Sequence, residues 1–248
     1  MTCIIRGILF LGFLGILEAA PVGNIYAPAI LYKGIFLPDV WWGNFRFGYD
    51  WDNTFQKPLN HKGYPLKNIR LKTKWTAGAF IFNVKERLDI YSYLGSARQE
   101  INFSQVDNFY SAKNTHAFLW NLGAKLLLIE IYNFSFGVDG KYEASKFGLH
   151  FPNPAGFSHV SMHAWQVALG ISQKIFYFIP YFGITVCYTT LNIKPFHLLS
   201  LSQMELKFRD LVGVFYGLSF SPGSYFFINI EGRSISETAL GAAIEVRF

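Results

Sequence analysis

The stretch Thr238-Ala239-Leu240-Gly241-Ala242-Ala243-Ile244-Glu245-Val246-Arg247-Phe248 alternates without a break. Its even positions are apolar apart from the leading Thr238, and its odd positions are small or charged. A period of two marks a strand whose two faces meet different surroundings. The stretch closes on an aromatic ring, the residue type that favours the layer between hydrocarbon and water. It reads as the closing strand of a transmembrane β-barrel, with Ile244, Val246 and Phe248 as a C-terminal assembly signal for the barrel-assembly machinery.

Composition agrees. Of 248 residues, 19% are aromatic, with 26 Phe and 14 Tyr, and only 15% are charged. A globular domain carries roughly 25% charge. Mean hydropathy is +0.22. Beyond the N-terminus no apolar run approaches the ~20 residues a membrane helix needs. Apolar content scattered at short period points to lipid-facing strands.

Residues 1–19 read as a secretory signal. Arg6 gives the positive start, Gly7 to Leu17 an apolar stretch too short to span, and Leu17-Glu18-Ala19 a cut after Ala19. Cys3 leaves with it, so the mature chain keeps Cys187 alone and forms no internal disulfide. The net charge of +6 is unchanged, because the signal removes Arg6 and Glu18 together. A basic balance suits anionic lipid, surface sugar or anionic solutes. No Lys/Arg cluster resembles a phosphate-tracking stripe, and export argues against nucleic acid.

Ten segments alternate: 42–54, 70–82, 87–97, 116–129, 132–145, 162–175, 180–191, 206–220, 224–234 and 238–248. In 132–145, Tyr132, Phe134, Phe136, Val138 and Tyr142 oppose Asn133, Ser135, Asp139, Lys141 and Glu143. Most runs reach the roughly 9–11 residues a tilted strand needs to cross. Connections alternate between long (about 55–68, 98–114, 146–160, 192–205) and short, as outer-membrane barrels alternate extracellular loops with periplasmic turns. Hydrocarbon tolerates no open sheet edge, so the first and last strands must pair. The expected fold is all-β, an antiparallel barrel of about ten strands (10–12) over 42–248. Residues 20–41 either plug the lumen, lie in the periplasm, or add a strand.

Charges on a lipid face cost about 2–4 kcal/mol at the midplane, so those on the strands are expected inside. They are the pore-lining candidates: Arg46, Asp50, Lys72, Lys74, Lys125, Asp139, Lys141, Glu143, Lys174, Lys207, Arg209, Glu231, Arg233, Glu245 and Arg247. Basic residues outnumber acidic ones in this set, which suggests weak anion preference. Eight to ten strands also leave an interior that side chains can fill. Trp41, Trp42, Tyr132, Tyr177 and Phe178 sit near strand ends as an interfacial girdle. His159 and His163 have no third ligand nearby, so no metal is expected. No phosphate loop, dinucleotide fingerprint, serine elbow or zinc-protease helix is present, and no cofactor is expected.

Several runs resemble the chlamydial major outer membrane protein (MOMP) porin family, in order along the mature chain. They are Ala20-Pro21-Val22-Gly23-Asn24, the run Asn83 to Ser96, Ala117 to Lys125, Trp165 to Leu169 with Ile179-Pro180-Tyr181, Glu231-Gly232-Arg233, and the terminal Arg247-Phe248. Family members are longer and rich in cysteine, so the chain resembles a compact, cysteine-poor member. The resemblance implies a passive outer-membrane channel for small solutes, often a homotrimer, surrounded by outer-membrane lipid. The expected function is therefore a porin-like channel rather than an enzyme. The alternatives are a non-conducting structural or surface-interaction barrel, and a barrel hydrolase built on Asp50, Asp52 and His163.

Overall fold

The structure, a computed structural model, describes residues 21–31, 43–61, 66–105, 108–114, 116–152, 155–194, 203–208, 211–223 and 225–248. The expected signal at 1–19, Trp41, Trp42 and Arg209 lie outside them. One helical turn, α1 (Ala27–Ile30), precedes twelve strands. These are β1 (Asn44–Asn60), β2 (Leu66–Val84), β3 (Leu88–Gln105), β4 (Asn108–Lys113), β5 (Ala117–Ile131) and β6 (Phe134–Pro152). They continue as β7 (Ala155–Gln173), β8 (Phe178–Lys194), β9 (Met204–Phe208), β10 (Val212–Phe220), β11 (Phe226–Ser234) and β12 (Thr238–Arg247).

All pairings are antiparallel. β1 closes on β12 from Arg46↔Arg247 to Gln56↔Thr238. The pairs β1–β2, β2–β3, β3–β5, β5–β6, β6–β7, β7–β8, β8–β10, β10–β11 and β11–β12 complete a ring of ten. Each of the ten expected segments corresponds to one position of that ring. The count becomes twelve because two descending chains are each interrupted once, between β4 and β5 and between β9 and β10.

Above the short β11–β12 hairpin the wall narrows. There β9 pairs directly with β1 (Leu59↔Phe208, Asn60↔Lys207) and with β8. On the other side β4 reaches β6 at Lys113↔His150. The upper ring is therefore eight strands: β1, β2, β3, β4, β6, β7, β8 and β9. Eight strands enclose a space that side chains just fill.

The long loops expected at 98–114 and 146–160 are largely strand. β3 runs to Gln105, β6 to Pro152, and β7 starts at Ala155. A 19-residue strand such as β6 extends roughly 60 Å at ~3.3 Å per residue. Crossing the membrane uses only about 9–11 residues. The remainder stands above the membrane, and its polarity is reversed.

β7 shows the reversal within one strand. Low down, Trp165, Val167 and Leu169 point outward at 51–62% exposure while Gln166 is buried inside. Higher up, Val160 and Met162 are buried inside while His159 and His163 face outward. The pleat keeps its phase; the solvent outside changes from acyl chains to water. Twenty-two buried side chains, among them Leu71, Ile101, Leu119, Leu149, Leu191 and Leu206, form one apolar cluster in the upper ring.

On β2 the expectation that strand charges point inward is corrected. Trp75, Ala77, Ala79 and Ile81 are the inner face, and Lys72 and Lys74 point outward. Phe80, on the same face as Lys72 and Lys74 but lower down, faces lipid at 53% exposure.

Candidate functional site

The barrel interior holds three layers. The apolar cluster fills the extracellular third. A charged layer lies across the middle. Residues 21–31 occupy the periplasmic end, while the rest of the 20–41 segment lies outside the described residues. They run from mid-barrel down to the rim, and the wall holds polar groups at both ends and along that path.

Glu231 is the main anchor. Its carboxylate accepts from the backbone N–H groups of Val22 (2.9 Å) and Gly23 (2.8 Å) and from the Tyr181 hydroxyl (3.1 Å). Gly23 has φ +69°, a conformation that suits glycine. Lys141 donates to the Pro21 carbonyl. Asn24 donates to Ser219 (2.9 Å) and to the Ile179 carbonyl (3.3 Å). Arg46 donates to the Ala27 carbonyl (2.6 Å), Asn83 to that of Pro28 (3.0 Å), and Arg247 to that of Leu31 (3.0 Å). Ile25 is fully buried with Val22, Ala168, Tyr181 and Phe215. A Cβ on Gly170 would stand 2.6 Å from Ile25 Cγ1, so the wall is bare of side chain where the segment docks.

Several charges of the middle layer are paired. Arg233 Nη2 donates to the two oxygens of Asp52 (2.7 and 2.9 Å), and its Nη1 reaches Glu231 (3.2 Å). Asp52 also accepts from the Trp75 indole (3.1 Å). Arg46 joins Asp89 and approaches Glu245 at 3.8 Å. The Tyr91 hydroxyl donates to Asp139 (2.6 Å). Lys57 pairs with Glu237 (3.1 Å) and lies 4.1 Å over the Phe208 ring. The gap beside them, lined by Asp52, Lys57, Lys141, Glu143 and Glu237, is about 30 Å³. That is room for one or two waters.

Of the expected pore-lining residues, Arg46, Asp50, Lys125, Asp139, Lys141, Glu143, Glu231, Arg233, Glu245 and Arg247 face the interior. Lys72, Lys74 and Lys207 are corrections: they stand on the outer wall at or above the upper edge of the hydrocarbon, where polar surroundings solvate them. Lys174 is also corrected, being exposed in the periplasmic turn after β7. Lys57, Asp52, Asp89 and Glu237 belong inside and were missing from that set. The alternation of 42–54 and 87–97 already placed Asp52 beside Asp50 and Asp89 beside Tyr91.

With these changes the sign of the interior reverses. The described cations there are Arg46, Lys57, Lys125, Lys141, Arg233 and Arg247. The carboxylates are Asp50, Asp52, Asp89, Asp139, Glu143, Glu231, Glu237 and Glu245. Six against eight removes the ground for anion preference.

On the outside, Ile244 is 42% exposed, and the Phe248 ring meets Phe47 edge-on at 5.1 Å. Tyr132, Tyr177 and Phe178 are exposed at the periplasmic ends, as a girdle requires. His159 and His163 share the outer face of β7, but four strand residues set them about 13 Å apart. His163 instead meets the Tyr142 hydroxyl at 2.6 Å. Asp50 and Asp52 face inward and His163 outward, so the barrel wall separates the groups a hydrolase reading would use. Cys187 is buried and free.

The docking of residues 21–31 gives a direct test. Gly170→Val should push Ile25 out of its seat. In a Cys187→Ser background, a Val22→Cys reporter should resist a water-soluble maleimide. Adding Gly170→Val should speed its labelling by on the order of 100-fold, as local opening becomes easy. Equal labelling rates would show that Ile25 does not hold the segment.

The fold is that of a transmembrane β-barrel. It is similar to the outer membrane protease OmpT from Escherichia coli (10% identity, covering 83% of this chain and 96% of that chain, TM-score 0.45). It is similar also to the outer membrane protein OprG from Pseudomonas aeruginosa (8% identity, 83% and 95% covered, TM-score 0.42). A third is the β domain of the Bordetella autotransporter BrkA (9% identity, 84% and 100% covered, TM-score 0.42). Likenesses this distant transfer no activity to this chain. No family model matches the chain, and no curated protein matches it.

Proposed function

We propose that the protein is a closed outer-membrane barrel, a structural or surface-interaction component of the envelope whose working surface is its extracellular end. The observation that supports this is the filled interior. Residues 21–31 stop the periplasmic end, charged side chains, several of them paired, fill the middle, and twenty-two of the described apolar side chains fill the top. The Leu, Ile, Val, Phe and Met side chains among them are worth about 1.5–3 kcal/mol each when buried, so emptying the upper ring costs tens of kcal/mol. The belt of exposed Phe, Trp, Leu, Ile and Val around the lower wall supports a membrane setting. The outward Ile244, Val246 and Phe248 suit recognition by barrel-assembly machinery. Liposome swelling tests the reading. Vesicles carrying the protein should shrink and stay shrunken in small sugars, as protein-free vesicles do. Re-swelling at a porin's rate would overturn it.

A porin-like channel, as the resemblance to the MOMP family implies, is the second reading. It is favoured by the hydrogen-bonded, strandless attachment of residues 21–31, which can leave without breaking the wall. Any current through a variant lacking residues 21–31 is expected to favour cations, because carboxylates outnumber cations inside. Reversal potentials under a salt gradient read this directly; an anion-selective current would contradict the interior charge assignment.

A further inference from the structure

We propose that the outer wall carries a binding groove for a multiply phosphorylated lipid headgroup, seated where the outer leaflet meets water. This rests on the membrane reading above. The groove has a volume of about 570 Å³ and is lined by Phe55, Lys72, Lys74, Arg98, Glu100 and Lys113.

Position comes first. Trp51 lies opposite Thr76, and Phe118 opposite Ser96. Both aromatic rings face outward, at 38% and 62% exposure. Lys74 is two residues above Thr76, and Arg98 two above Ser96. Two strand residues rise roughly 7 Å, from the hydrocarbon edge into the headgroup layer.

Charge comes second. Lys74 and Arg98 are direct cross-strand partners on the same outward face. Like charges so placed repel. Among the described residues no carboxylate forms a salt bridge with either. Glu100, the one acid in the groove, already serves Lys72 (3.6 Å) and Lys113 (3.3 Å). Four cations around one carboxylate leave a surplus that phosphates would neutralise. Phe55, 41% exposed, offers the groove an apolar contact for the lipid's acyl or sugar carbons.

Native mass spectrometry of the full barrel in neutral detergent tests the proposal. The probes are a bisphosphorylated lipid A, phosphatidylglycerol, phosphatidylethanolamine and inorganic phosphate. Lipid A should bind best. Lys72→Gln/Lys74→Gln/Arg98→Gln/Lys113→Gln should weaken it by on the order of 100-fold. A control, Lys146→Gln/Lys194→Gln/Lys207→Gln, removes outward cations elsewhere on the rim and should leave affinity unchanged. Both variants change exposed groups only, and resistance to SDS at room temperature checks that they fold. Three results would overturn the proposal: equal loss in both variants, phosphatidylglycerol binding as tightly as lipid A, or displacement of lipid by inorganic phosphate alone. Vesicle insertion is scored separately. A barrel that inserts yet shows no lipid preference refutes the groove and leaves the membrane reading standing.

Discussion

Arg233→Ala is expected to cost about 3–5 kcal/mol of barrel stability. The guanidinium is 1% exposed; its Nη2 spans both oxygens of Asp52 and its Nη1 meets Glu231. Removing it leaves two buried carboxylates facing each other. The loss then spreads to residues 21–31, because Glu231 holds their N–H groups. Urea unfolding in lipid vesicles, followed by tryptophan fluorescence, measures the change. Pairing the replacement with Asp52→Asn should recover a large part of it, since one unpaired charge is then gone. A loss below about 1 kcal/mol would mean that water reaches this layer and screens it.

Leu191→Asp is expected to be worse still for the extracellular end. Leu191 is 0% exposed in the middle of the upper cluster. The substitution leaves a cavity and puts an unpaired carboxylate among apolar side chains, together about 4 kcal/mol or more. Limited proteolysis should then cut the upper strands while the membrane half stays protected. The matched change Lys194→Asp, three residues on and facing water, should leave the protease pattern as it is. If Leu191→Asp were as resistant as the parent, the upper ring would be an aqueous vestibule and not a packed core.

The wall was legible in the sequence because strand period and membrane thickness both act locally. The runs at 132–145 and 238–248 state which side meets lipid and which does not. The extracellular third was not legible by the same rule. Alternation continues through residues 146–151, but its meaning inverts once water replaces lipid outside. A rule that sends every charge inward therefore misplaced Lys72, Lys74 and Lys207. The cue was present in the apolar residues themselves. Phe147, Leu149 and Phe151 follow Asp139, Lys141 and Glu143 on the same face of one strand. A strand that carries both sets on one side must leave the membrane between them.

The inner layer was half legible. Alternation placed Arg46, Asp50, Asp139, Glu231 and Arg233 inside. It could not show what Arg46 and Glu231 hold, because their partners include backbone groups of residues 21–31, which carry no period. Gly170 is the trace that segment leaves in the wall, and a glycine in a strand has several readings until its neighbour is known.

Single-channel recording in planar bilayers puts the filled interior to its most direct test. The full mature barrel, inserted in high salt, is predicted to give a flat baseline at all moderate voltages. Discrete steps whose size scales with salt concentration would contradict it.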